Sequence, residues 1–217
     1  MGIQIGIIDD VKSERDDIQV SILDNIDTGI EVGFKEYEIE RKSKEVLFNE
    51  IREDISEELI QALIVDYRLD TTEDIIKGWE IIEFTHYEFP EFPVIIMTNA
   101  PDESKESQHT DADKVYAKKI FLNPQLDATK ELVKNIILNI NKYEIKRKEL
   151  ESNLAIELKK LEQDSENIKI LENIISIEKE LSKYKQIYQT TLDAELEMNN
   201  LKEAFALLDK YENLLGK

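Results

Sequence analysis

The sequence predicts an α/β protein: a doubly wound parallel sheet of five strands, followed by an all-α region that folds as a coiled coil or a helical hairpin. Three observations carry that expectation. Short apolar runs alternate with amphipathic stretches through the first 125 residues, as strands and crossover helices do. From Gln125 to Leu215 there is neither Pro nor Gly, the two strongest punctuators of structure. Charge divides at the same place. Residues 1–125 carry 13 basic and 30 acidic side chains, net −17, whereas residues 126–217 carry 15 and 18, net −3. Two domains follow, 1–125 and 126–217.

The elements can be read in order. Ile3-Gln4-Ile5-Gly6-Ile7-Ile8 is a strand. Ser13 to Ile26 has Ile18, Ile22 and Ile26 at helical spacing, with Ser13 and Asp16 placed like a capping box. Gly33 to Ile39 is a second strand, and a helix follows with Leu47, Ile51, Ile55 and Leu59 stepping by four. Ala62-Leu63-Ile64-Val65 is continuously apolar, as a strand buried on both faces must be. Ile75 to Phe84 is helical, Pro93 to Met97 is another buried strand, and Val115-Tyr116-Ala117 is a short fifth.

Composition narrows the function. There is no cysteine, which removes disulfides, Cys-ligated zinc, iron–sulfur clusters and thiol nucleophiles. A net charge of −20 disfavours nucleic acid, whose phosphates reward Lys and Arg. The longest apolar run falls far short of the roughly 20 residues a bilayer crossing needs, and the N-terminus lacks the basic and apolar regions of a signal peptide. A cytoplasmic protein, bound to neither membrane nor nucleic acid, is expected.

Parallel sheets of this kind bind ligands beyond the carboxyl ends of their strands. The first strand ends in Asp9-Asp10, the third in Asp66, the fourth in Thr98, and the fifth runs into Lys118-Lys119. Three carboxylates on one edge raise each other's pKa unless a cation sits among them. Mg²⁺, a hard ion that binds through a few carboxylates and keeps its waters, is the natural partner. A Lys and a Thr beside it supply the point charge and hydroxyl donor that a phosphoryl group takes. Together these groups describe phosphoryl transfer onto an aspartate.

Residues 1 to about 125 resemble the receiver domain of two-component response regulators, a flavodoxin-like five-stranded fold. The matching stretches are Ile7-Ile8-Asp9-Asp10, Leu63 to Leu69 around Asp66, Val94 to Ala100 around Thr98, and Tyr116-Ala117-Lys118-Lys119-Ile120-Phe121. Thr98 lies 32 and Lys119 lies 53 residues after Asp66. The resemblance implies that Asp66 accepts a phosphoryl group from a histidine kinase. It implies Mg²⁺ on Asp9, Asp10, Asp66 and the backbone carbonyl of Arg68. Thr98 and Lys119 would bind phosphoryl oxygens, and Tyr116 is the aromatic associated with switching. Lys118 competes for the Lys role; Lys119 is preferred because Tyr116 then precedes it by three residues and Phe121 follows by two. Such a protein is not an enzyme beyond its own phosphorylation and dephosphorylation.

Departures from the family pattern accompany the match. Ile120 stands where Pro is usual, the loop Tyr67 to Glu73 is long and acidic, and Asp102 to Asp113 is almost wholly polar. A helix over that last stretch would have no face to bury. A degenerate receiver, serving as a constitutive scaffold or dimerisation module without phosphorylation, is the rival reading. A haloacid-dehalogenase-type hydrolase is a distant third, because Asp9-Asp10-Val11 lacks the required spacing of two acids.

The fifth receiver helix runs on past Leu126, with Leu132, Ile136, Ile140, Tyr143, Leu150, Leu154, Leu158 and Leu161 at steps of three and four, interrupted by Arg147. Ile174, Ile177, Leu181, Tyr184 and Tyr188 form a second series, and Leu201 to Leu215 a third. Polar breaks at Gln163-Asp164-Ser165 and Gln189-Thr190-Thr191 divide the tail into two or three helices. An amphipathic stripe needs a partner, so a homodimer or a protein partner of the tail is expected.

Overall fold

The computed structural model describes residues 2–39, 42–69, 76–99, 115–164 and 167–186. Five strands and six helices follow in order: β1 (Ile3–Ile8), α1 (Lys12–Asn25), β2 (Val32–Glu36), α2 (Lys44–Ser56), β3 (Ala62–Asp66), α3 (Gly78–Glu88), β4 (Val94–Thr98), β5 (Val115–Ala117), α4 (Lys118–Phe121), α5 (Asp127–Gln163) and α6 (Ile168–Leu181). The sheet is parallel throughout, in the order β2-β1-β3-β4-β5. This is the flavodoxin-like doubly wound order, and its switch point falls between β1 and β3.

The apolar runs explain the central strands. Every residue of β3 and of β4 is buried, which requires helices on both faces. On one face Ile5, Ile7, Ala62, Ile64, Ile95 and Met97 share a core with Ile18 and Ile22 of α1 and with Leu132, Val133, Ile136, Ile137 and Ile140 of α5. Each of the larger side chains, Ala62 aside, contributes roughly 1.5–3 kcal/mol by leaving water. On the other face Gly6 lets Tyr37, Ile60 and Leu63 close in, because a Cβ there would lie 2.8 Å from Leu63 and 2.9 Å from Tyr37.

Several local expectations are corrected. α1 begins at Lys12, one residue before Ser13, so Ser13 does not cap it; Val11 is the N-cap and makes no side-chain cap bond. The cause is Asp9, whose Oδ1 accepts the Val11 N–H at 2.9 Å and sets the turn earlier. α2 ends at Ser56, so Leu59 is not part of its stripe and is 56% exposed. There Glu58 adopts φ +59°, with Leu59 N–H bonding Asp54 O and Glu58 N–H bonding Ile55 O. That pair of bonds is a Schellman ending. α3 runs Gly78–Glu88 rather than from Ile75, which lies outside the described residues, and the Glu80 carboxylate accepts the Lys77 N–H at its start.

The chain divides into two compact units, one of residues 1–146 with 183–185, the other of 147–182 with the residues after 185. The division falls inside α5, later than the expected boundary at 125, because the first turns of α5 build the sheet core. In the second unit α5 stops at Gln163 and α6 starts at Ile168, with Asn167 capping it; of the expected break, Ser165 lies outside the described residues. Asn173 of α6 donates to Glu157 of α5 at 3.2 Å. Leu158 is 44% exposed, off the stripe where periodicity put it. Among the described residues no helix is long and apolar enough to cross a membrane. The break at Gln189 and the series from Leu201, like the stretch Asp102 to Asp113, lie outside the described residues.

Candidate functional site

Two strand ends bring three acids to one point on the sheet edge. Asp9 follows β1, Asp10 follows it in turn, and Asp66 ends β3. Ile8 pairs with Val65, so the two strands finish level and their acids emerge side by side. Asp9, Asp10 and Asp66 each offer a carboxylate oxygen, and the three oxygens lie within 4.8 Å of one another. Asp9 is 1% and Asp66 6% exposed.

Backbone geometry secures both buried acids. Asp66 Oδ1 accepts the Arg68 N–H at 3.2 Å, and Arg15 donates to the Asp9 carbonyl at 2.5 Å while its Nε pairs with Glu36 at 2.7 Å. Gly78 opens α3 directly against β3. A Cβ on it would stand 1.8 Å from the Asp66 carbonyl oxygen, so only glycine lets α3 pack this close to the acid.

The lysine at the cluster is Lys118, which corrects the preference for Lys119. Its Nζ lies 2.8 Å from Asp66 Oδ2 and 2.8 Å from Asp9 Oδ2, and it also pairs with Glu14. Lys118 is 2% exposed, whereas Lys119 is exposed. The reason is the one-turn helix α4. Lys118 and Phe121 are three apart and share its inward side; Phe121 enters the core completely, so Lys118 is carried inward and Lys119 outward. The spacing to Phe121 was visible in the sequence, but the turn of helix that gives it meaning was not.

Glu14 was missed altogether. It falls in the first turn of α1, just after the acidic pair, and the only sequence signal was that proximity. Thr98, fully buried, ends β4 at the same edge: Met97 pairs with Asp66, and Thr98 with Ala117, the residue before Lys118. Tyr116 pairs with Met97 and packs, partly buried, against the core on the α5 face. The register therefore brings Asp9, Asp10, Asp66, Thr98 and Lys118 to one edge and sets Tyr116 two residues back along β5.

The electrostatics follow from burial. Removal from water pushes the Asp66 carboxyl up to about 6, against the pull of Lys118 and the Arg68 N–H. Burial raises Asp9 as well, opposed by Lys118 and the Val11 N–H. Burial by itself would lower the Lys118 ammonium; its bonds to Asp66, Asp9 and Glu14 outweigh that and hold it above the usual lysine range. Three acids, Asp9, Asp66 and Glu14, thus share one ammonium, with Asp10 beside them. Desolvated carboxylates crowded around a single ammonium are a setting that a divalent ion relieves. Oxygens bound to one Mg²⁺ at about 2.1 Å stand at most about 4.2 Å apart, within a small side-chain rotation of the observed spread.

The sequence matches no protein-family model, and no curated protein matches it.

Proposed function

We propose that the first unit is a receiver that takes a phosphoryl group on Asp66 from a histidine kinase, with Mg²⁺ held by Asp9, Asp10 and Asp66 and by the carbonyl of Arg68. The observation that carries the reading is the meeting of the three carboxylates with a buried Lys118 at the β1/β3 switch point. In the transfer an Asp66 carboxylate oxygen bonds to phosphorus, the bond from phosphorus to the donor's imidazole nitrogen breaks, and that nitrogen keeps the electron pair. Mg²⁺, when bound, neutralises charge on the phosphoryl oxygens. Lys118 supplies the second positive charge, in the role the sequence offered to Lys119, and Thr98 offers its hydroxyl to a third oxygen. The change passes to the C-terminal helices, which act as a protein-interaction region and pair as a homodimer. The protein works in the cytoplasm, with no nucleic acid or membrane as partner.

One feature favours the rival reading of a constitutive scaffold. Lys118 already bridges Asp9, Asp66 and Glu14, as a purely structural ion cluster would. Intact mass after incubation with Mg²⁺ and phosphoramidate separates the two. A gain of one phosphate in the wild type that is lost in Asp66→Asn supports the receiver; an unchanged mass, with Mg²⁺ affinity also absent, leaves the scaffold.

A further inference from the structure

A second cluster lies on the first unit, away from the acids. After α6 the chain returns to the first unit for three residues, Lys183–Lys185. The Glu91 N–H donates to the Lys183 carbonyl at 3.1 Å, and the Tyr143 hydroxyl donates to the Tyr184 carbonyl at 2.5 Å. The Tyr184 ring stacks on Tyr143 with centroids 5.5 Å apart, and Tyr143 meets Phe92 edge-on at 5.5 Å. Tyr184 is only 7% exposed. Two backbone acceptors and an aromatic triplet are far more than a passing connection makes, since paired rings attract one another beyond the area they bury.

The segment also walls a cavity of about 320 Å³, whose other walls include Tyr116, Ile95, Ile136 and Tyr143. Tyr116 sits in the middle of β5, and Lys118 follows that strand by one residue. β5 is three residues long and is held on one side by β4. A single short strand therefore carries the lysine of the acid cluster at one end and, in its middle, a tyrosine that lines the same cavity as Tyr184.

We infer that Lys183–Lys185 is an intramolecular latch, seated by Tyr184 on Tyr143 and Phe92, and that occupancy of the Asp66 cluster loosens it through β5. The latch stands on its own contacts; the linkage rests on the receiver reading. A ligand at the cluster engages Lys118, and any movement of Lys118 is shared with Tyr116 because the strand is too short to absorb it. Linkage is reciprocal, so loosening the latch strengthens ligand binding by the same factor.

The test is amide hydrogen exchange by NMR on the full chain, read at Glu91. Tyr184→Ala should raise exchange at Glu91 at least tenfold while β3 amides stay protected, and Tyr143→Phe, which removes only the hydroxyl, should raise it several-fold. Glu91 exchange unchanged in both variants overturns the latch. In the wild type, Mg²⁺ with beryllium fluoride should speed Glu91 exchange several-fold, and Tyr184→Ala should tighten beryllofluoride binding by the same factor. Bound beryllofluoride, seen by ¹⁹F NMR, with Glu91 unchanged overturns the linkage. Absence of any bound signal overturns the receiver reading and the linkage with it, and leaves the latch to be decided by the variants.

Discussion

Two buried carboxylates, each beside a lysine, lie at the same sheet, one on a helix and one at a strand end, and they do opposite things. Asp54 of α2 is 4% exposed; its Oδ2 accepts the Tyr37 hydroxyl at 2.6 Å and pairs with Lys35. Lys35 keeps a third of its side chain in water and reaches Glu50 at 3.4 Å. One acid meets one phenol and one ammonium, and the account closes. Burial, with the Asp54 charge beside it, drives the Tyr37 phenol far above its ordinary range, so it stays a donor. Asp66 is equally buried but shares its ammonium with Asp9 and Glu14, with Asp10 adjacent. A buried ion pair is therefore no mark of a site. The mark is several acids around one ammonium at the place where strand ends converge.

The contrast is broken most directly by removing each lysine. Lys118→Met strands Asp9 and Asp66 in the interior and should cost about 3–5 kcal/mol at neutral pH, the usual penalty for orphaning a buried charge. Lys35→Met should cost less, about 1–3 kcal/mol, because the Tyr37 hydroxyl still donates to Asp54 and that ammonium is partly solvated. Urea titrations give both numbers, and millimolar Mg²⁺ should restore stability to the first variant only. Equal losses would erase the distinction.

Acid titration is the next largest effect. The folded Asp66 carboxyl, at about 6, lies above its ordinary value of 3.8. Between those pH values the native state binds more protons than the unfolded chain, so stability falls as pH rises from about 4 to 6 and is level above. At 1.36 kcal/mol per unit the loss is about 3 kcal/mol, and Asp9, shifted the same way, adds to it. Asp66→Asn should flatten most of that slope in urea midpoints measured from pH 4 to 7, whereas Asp54→Asn should leave it in place.

The smallest effect sharpens the closed side of the comparison. Tyr37→Phe removes one donor from Asp54 while Lys35 remains, and should cost about 1–2 kcal/mol. Mg²⁺ affinity by calorimetry should be unchanged, since Tyr37 touches no group of the Asp66 cluster.

Periodicity and residue type determined much of this protein. The apolar runs at Ala62 and Val94 were legible as strands because a sheet buried on both faces leaves no polar position to interrupt them. Asp9, Asp10, Asp66 and Thr98 were legible because they end apolar runs. The interruption at Gln163-Asp164-Ser165 was legible as a helix end for the same reason, a loss of apolar spacing with capping residues in its place.

What tertiary structure alone decided is which neighbour wins where the local pattern is ambivalent. Adjacent Lys118 and Lys119 are equivalent as sequence; the burial of Phe121 turns one inward and the other into solvent. Glu14 is one acid among many on α1 until Lys118 arrives from 104 residues away. Asp54 reads as a surface helix acid until Tyr37 closes over it. Tyr184 reads as a seam residue until its ring meets Tyr143. Each outcome depends on long-range packing, which a period of two or of 3.6 residues does not encode.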